Sequence, residues 1–174
     1  MIEITTDVLI VGGGMAAGWA AISAAKTGAS VVIVDKGFMG TSGVTAPAGP
    51  NHWWVPPEKR HRDQAVSRRL ETAFGLADPE WMHRIIDITW RSIPELEPWY
   101  PFSGDGHGGV FRSGLRGPEY LRALRQYARS LGVKVLDHHP ALELLAAADG
   151  SIAGAAGYAR LEGSPWRARA AAVI

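Results

Sequence analysis

Three consecutive glycines near the N-terminus constrain the fold of this chain more than any other feature. They join the apolar segment at residues 7–11 to an alanine-rich segment at residues 15–27, which predicts a strand, a tight turn and a helix. The spacing G-x-G-x-x-G/A falls on Gly12, Gly14 and Ala17. The first glycine of this pattern permits the turn, the second lets a pyrophosphate approach the backbone, and the small third residue lets the helix pack on the strand. The segment therefore predicts a dinucleotide-binding βαβ unit.

A second strand and the acidic residue that follows it support the same prediction. Residues 30–34, SVVIV, predict a buried strand that is parallel to the first, because crossover connections are right-handed. Asp35 follows this strand, about 20 residues beyond the glycines, where an acid binds the ribose of a dinucleotide. The phosphates would lie at the helix N-terminus, where unpaired N–H groups favour negative charge.

Composition excludes several other classes of function. A chain of 174 residues with 47% apolar and 20% charged residues is expected to form one domain with a hydrophobic core, and its net charge of +1 gives no reason to expect nucleic-acid binding. The absence of cysteine excludes disulfides, Fe–S ligation and a thiol nucleophile, so any redox chemistry needs a bound cofactor. No segment approaches the roughly 20 apolar residues of a transmembrane helix. The early first strand leaves no room for a signal peptide, which predicts a cytoplasmic location.

The rest of the chain predicts an α/β fold in four parts. The βαβ unit spans residues 1–36, and a loop rich in glycine and proline follows at 37–57, a length that is typical of functional loops. A helical excursion is expected at 58–132, with helices over 58–74, from the N-cap Asp78 to Pro94, and over 118–131. The last part is expected to begin with a strand at 133–136. A small antiparallel meander follows, with strands over 141–147, 151–158 and 166–174. Because the apolar run at 170–174 has no covering element, the domain is expected to be incomplete at this end.

This order of parts resembles the flavoprotein family of fumarate reductase and succinate dehydrogenase, which includes L-aspartate oxidase and the flavin subunit of adenylylsulfate reductase. The motifs that carry the resemblance are GGGMAAG at 12–18, TSG at 41–43, GPEYLRALRQYARSLGVKVL at 117–136 and AAAVI at 170–174. They cover nearly the whole chain, but only the N-terminal portion of such a protein. The resemblance implies a Rossmann-like FAD-binding domain of the glutathione-reductase type. It also implies hydride transfer between the flavin and a small carboxylate-type substrate.

The resemblance further assigns contacts to the cofactor. The glycine turn would hold the FAD pyrophosphate, the acid would hold the adenosine ribose, the loop would approach the pyrophosphate and flavin, and the first meander strand would contact the adenine through its backbone. These contacts are Gly12, Gly14, Met15, Ala16, Ala17, Asp35, Lys36, Thr41, Ser42, Gly43, Ala141 and Leu142. Because Gly43 stands where several members attach FAD through a histidine, the FAD is predicted to be non-covalent. The expected partners are the remainder of the flavoprotein and an electron-transfer subunit.

Some features leave other interpretations open. Asp35 stands where glutamate is frequent in FAD proteins, which keeps an NAD-dependent dehydrogenase as an alternative, and a non-catalytic dinucleotide-binding or assembly module is a third. The family's A-T-G-G segment, substrate-capping domain and catalytic arginine region would follow residue 174, so a complete active site is not expected here. His52, beside two tryptophans, and His107, in DGHGG, are the candidate substrate or flavin neighbours, although both also suit ordinary loop positions. His138 and His139 lack companions at metal-ligand spacing, so no metal site is predicted.

Overall fold

The computed structural model describes residues 1–174, which divide into two compact units. The first unit consists of residues 1–49 and 116–174, and the second of residues 50–115. The first contains the strands β1 (Ile2–Val11), β2 (Val31–Val34), β3 (Lys134–Leu136), β4 (Ala141–Ala146), β5 (Ile152–Ala159) and β6 (Ser164–Val173), and the helices α1 (Met15–Lys26), α2 (Thr45–Ala48) and α5 (Gly117–Ser130). The second contains the helices α3 (Lys59–Leu70) and α4 (Pro79–Ser92) and a 3-10 turn (Ile93–Leu96).

The six strands of the first unit form a single sheet in the order β3-β2-β1-β6-β5-β4. The strands β3, β2, β1 and β6 pair in parallel, whereas β6, β5 and β4 pair antiparallel. The predicted α/β class, with a parallel sheet and an antiparallel meander, is confirmed. The two parts are continuous because β6 belongs to both of them.

The first strand is longer than its sequence predicts. It begins at Ile2 rather than at residue 7, because residues 2–6 pair in parallel with residues 166–170 of β6. The same strand pairs with the apolar run at the end of β6, where Val8 lies opposite Ala172 and Leu9 opposite Val173. This pairing does not cover the faces of the run, because Ala171, Ala172 and Ile174 are exposed, so the expectation that it has no covering element is confirmed. Trp166, Leu9 and Ala168 lie in the core cluster of this sheet.

Helices α1 and α5 pack closely at a glycine. A Cβ atom at Gly18 would lie 3.0 Å from Cδ1 of Leu124, so the absence of a side chain lets the two helices approach. Directly after Gly18, Nε1 of Trp19 donates a hydrogen bond of 2.6 Å to the hydroxyl of the fully buried Tyr120, one turn before Leu124 on α5. These contacts fix α1, whose first turn follows the glycine turn.

The second unit contains α3 and α4, whereas α5, which the sequence places in the same helical excursion, belongs to the first unit. The side chain of Asp78 accepts hydrogen bonds from the backbone N–H groups of Glu80 and Trp81 and caps α4, as its sequence indicates. The predicted helix over 58–74 ends earlier, at Leu70, and Phe74 lies beyond it with a φ of 50° and 90% of its surface exposed. The expected extension of this helix to residue 74 was wrong, because the exposed Phe74 side chain buries no surface that would stabilise another helical turn. No helix of the chain combines the length and hydrophobicity that crossing a bilayer requires.

Candidate functional site

A cavity of about 480 Å³ opens where β1 and β2 end. Its lining consists of residues 12–14, 35–38 and 41–43, which are the glycine turn, the end of the second strand and the start of the long loop. The carboxyl ends of parallel strands are the usual ligand-binding edge of such sheets. Most of the predicted cofactor contacts therefore lie around one cavity.

Each of the three glycines in the turn lacks a side chain for a different structural reason. Gly12 has a φ of 119°, a conformation that residues with side chains rarely adopt. A Cβ at Gly13 would lie 2.9 Å from Cγ of Asp35 and 3.0 Å from Cα of Met39, so there is no room for a side chain. A Cβ at Gly14 would meet only ordinary contacts, the nearest at 3.8 Å. Its missing side chain leaves space at the cavity, as close approach of a pyrophosphate requires.

The carboxylate of Asp35 holds the loop to the end of β2. Asp35 is only 4% exposed, and its Oδ2 accepts a short hydrogen bond from the hydroxyl of Ser42 and one of 3.2 Å from the backbone N–H of Gly37. The predicted ribose-binding acid thus also positions Ser42, the loop residue that lies beside it in the cavity.

The loop also approaches the glycine turn through its backbone. Gly43 has a φ of 80°, and a Cβ at this position would lie 3.3 Å from Cα of Gly14. A side chain here would therefore be strained and crowded. The close approach of these two glycines forms one wall of the cavity.

The remaining predicted contacts lie in three places, namely the first turn of α1, the cavity lining and the start of β4. Residues 15–17 form the first turn of α1, whose N-cap Gly14 makes no side-chain capping bond, so side chains do not cap this helix end. Lys36 lines the cavity, and its backbone carbonyl accepts a hydrogen bond of 3.3 Å from Arg160. Ala141 and Leu142 begin β4 and do not line this cavity, and Leu142 borders a separate one of about 350 Å³. Their contact with adenine stays a prediction.

Both candidate histidines belong to the second unit. His52 is half-buried, and burial lowers its pKa to about 4, so its ring is neutral near neutral pH. His107 is exposed, and its backbone N–H donates a hydrogen bond of 2.8 Å to Oδ1 of Asp105, which also accepts one from the backbone N–H of Gly109. His107 therefore lies in a turn that the Asp105 carboxylate stabilises. The catalytic roles of the two histidines stay predictions.

Sequence reasoning missed two residues that support the cavity wall, Arg125 and Asp137. Arg125 donates a hydrogen bond of 3.0 Å to the carbonyl of Met39 and binds the carboxylate of Asp137. The signal was present in α5, because Arg125 follows Leu124 on the face that buries Leu121 and Ala128. A charged residue on a buried helical face usually has a specific partner.

The chain matches the family model described as FAD binding domain over residues 7–174. It is also 26% identical over 180 residues to a protein of Shewanella frigidimarina named Probable fumarate reductase Ifc3, a match that covers 87% of this chain and 28% of that protein.

Solved structures are similar to it in fold. Quinol fumarate reductase FrdA from E. coli has a TM-score of 0.85 at 22% identity, over 99% of this chain and 32% of that one. Adenylylsulfate reductase from Archaeoglobus fulgidus has a TM-score of 0.81 at 22% identity, over 99% of this chain and 30% of that one. Mycobacterium smegmatis Sdh1 has a TM-score of 0.80 at 21% identity, over 99% of this chain and 34% of that one. The chain thus spans about a third of the length of these proteins.

Proposed function

The chain belongs to the FAD binding domain family, and from this premise we propose that it holds the FAD of a flavin-dependent oxidoreductase. The family match and the relatives confirm the resemblance to fumarate reductase flavoproteins and the choice of FAD as cofactor. They do not favour an NAD-dependent dehydrogenase or a non-catalytic module. The observation that carries the proposal is the convergence of the glycine turn, Asp35 and residues 41–43 on one cavity within the matched region.

The residues around the cavity fit a dinucleotide. Gly14 leaves room for close approach of a pyrophosphate, and the first turn of α1 offers N–H groups that side chains do not cap. Lys36 adds a positive charge, and Asp35 adds a carboxylate with one oxygen outside its two bonds to the loop. When bound, FAD supplies the hydride chemistry at its flavin ring. The task of these residues is to bind and orient the cofactor and to hold the loop beside it.

The FAD is held without a covalent bond. Gly43, which the family resemblance places at the position of the attaching histidine of several members, offers no side chain, and its φ of 80° and close approach to Gly14 disfavour one. Acid precipitation of the protein loaded with FAD tests this statement. The yellow colour should remain in the supernatant as free FAD, whereas flavin that stays in the precipitate after washing would contradict it.

The substrate is a small carboxylate, and most of the residues that bind it belong to the rest of the flavoprotein, together with the site for an electron-transfer subunit. The support is that relatives matched by the chain are named fumarate reductases and are about three to four times as long. The test is anaerobic reduction of the flavin in the whole flavoprotein, followed by addition of fumarate as a probe. Reoxidation of the flavin with formation of succinate is expected. Failure of fumarate and of other unsaturated carboxylates to reoxidise it would overturn the assignment of the substrate class.

A further inference from the structure

The loop that lines the cavity begins with a segment, Phe38 to Ser42, that belongs to no helix or strand. The backbone of Met39 at its centre is nevertheless fully engaged. The N–H group of Met39 donates a hydrogen bond of 2.9 Å to Oδ1 of Asp137, and its carbonyl accepts one of 3.0 Å from Nη1 of Arg125. Two side chains thus supply the bonds that a neighbouring strand would supply elsewhere in the sheet.

These two side chains form a bidentate ion pair. Nη1 of Arg125 lies 2.8 Å from Oδ1 of Asp137, and Nη2 lies 2.7 Å from Oδ2. The side chains are only 14% and 17% exposed, and the guanidinium lies 4.2 Å from the centre of the Phe38 ring. Burial opposes ionisation of Asp137, but the hydrogen bonds from Arg125 and Met39 and the charge of Arg125 hold the pKa of that carboxyl below its usual value. The pair is therefore charged at neutral pH, and its planar geometry is specific.

The backbone that follows β3 also holds the start of the loop, through hydrogen bonds to residues beside the cavity. The N–H group of His139 donates a hydrogen bond of 2.7 Å to the carbonyl of Asp35, and that of His138 donates one of 2.7 Å to the carbonyl of Gly37. At the far end of the segment, the hydroxyl of Ser42 bonds to the Asp35 carboxylate. The segment is thus fixed at both ends, and the ion pair holds its middle.

We propose that Arg125 and Asp137 form a positioning pair, which orders residues 38–43 for FAD binding without contacting the cofactor. Neither side chain lines the cavity, so the pair acts through Met39 and Phe38. This inference rests on the proposed FAD-binding function. A buried ion pair is often no more stabilising than apolar side chains of similar volume. The distinctive contribution of this pair is the placement of the Met39 backbone.

The test compares Arg125→Met, Asp137→Leu and the double variant with the native chain. Each single variant leaves a buried charge without its partner and should be strongly destabilised, whereas the double variant should regain much of the native stability. The double variant cannot bond to Met39. It should therefore bind FAD at least about tenfold more weakly than the native chain in a flavin-fluorescence titration, since the loss of hydrogen bonds to a charged group has this size. The backbone amides of residues 39–43 should exchange with deuterium faster in the FAD-free double variant.

Arg122→Met is the matched control, because Arg122 is exposed on the same helix. It should leave both FAD affinity and amide exchange unchanged. Arg125→Lys provides a second test if the apolar double variant does not fold. Lysine keeps the charge but lacks the planar fork, so exchange at residues 39–43 should again be faster than in the native chain.

Native FAD affinity together with native amide exchange in the double variant would overturn the proposal and leave the pair a purely structural role. So would native exchange in Arg125→Lys. If the native chain and Arg122→Met also fail to bind FAD, the proposed function fails instead. The exchange measurements on the FAD-free chains would still decide whether the pair orders the loop.

Discussion

A methyl group added at Gly14 should separate cofactor binding from stability. Gly14 has extended backbone angles that any residue adopts, with φ −83° and ψ −170°, and its Cβ would lie 3.8 Å from Cα of Gly43. The stability of the FAD-free Gly14→Ala variant should therefore stay within about 1 kcal/mol of native. The methyl group would occupy space that the pyrophosphate needs. Loss of one hydrogen bond to a charged phosphate costs about 1.5–3 kcal/mol, so FAD should bind about ten- to hundredfold more weakly.

A methyl group at the neighbouring Gly13 should have a different effect. Its Cβ would lie 2.9 Å from Cγ of Asp35 and 3.0 Å from Cα of Met39, so the protein itself must shift. Overpacking of this kind costs about 1–3 kcal/mol. For a chain of this size that cost corresponds to a fall of about 2–12 °C in the unfolding midpoint. Gly37→Ala is the control, because its Cβ would lie at an ordinary 3.6 Å from Oγ of Ser42.

Two measurements on the same variants separate the effect on stability from the effect on FAD binding. Thermal unfolding of the FAD-free proteins, followed by the fluorescence of the seven tryptophans, gives stability, and titration with FAD gives affinity. The reasoning is refuted if Gly14→Ala loses as much stability as Gly13→Ala. It is equally refuted if Gly14→Ala binds FAD with native affinity.

Three further predictions concern the loop, the half-buried His52 and the start of α5. Ser42→Ala removes the hydrogen bond to the Asp35 carboxylate and should lower the unfolding free energy by about 1.5–3 kcal/mol in urea; an unchanged unfolding curve would mean that the bond does not hold the loop. Burial lowers the pKa of His52 to about 4 from 6.5, so protonation favours the unfolded chain, and stability should be complete above pH 6.5 and fall toward pH 4. In His52→Gln this part of the pH dependence should be missing from urea curves, and its persistence would assign it to other groups. Gly117→Ala places a Cβ 2.1 Å from the carbonyl oxygen of Thr45, and its unfolding midpoint should fall further than that of Gly37→Ala; equal midpoints would show that α2 moves aside freely.

Local backbone chemistry made part of the site predictable from the sequence. The turn and the approach of a phosphate each require a glycine at a fixed spacing, which identifies Gly12 and Gly14, and the position of Asp35 follows from the length of the βαβ unit. The same pattern says nothing of Gly13. Its need for a bare backbone arises from Asp35 and Met39, which the fold brings against it.

Contacts between distant segments account for what the sequence did not predict. Arg125 and Met39 are separated by 86 positions, and no helical or strand periodicity relates them. The extension of β1 to Ile2 likewise depends on its pairing with β6, at the other end of the chain. Such features follow from tertiary pairing, whereas periodicity reports only which face of an element is buried.

The central claim is that this chain selects FAD, and calorimetric titration of the purified protein tests it most directly. The protein should take up one FAD per chain, and NAD in excess should not displace it. Failure to bind FAD, or displacement of FAD by NAD, would contradict the account.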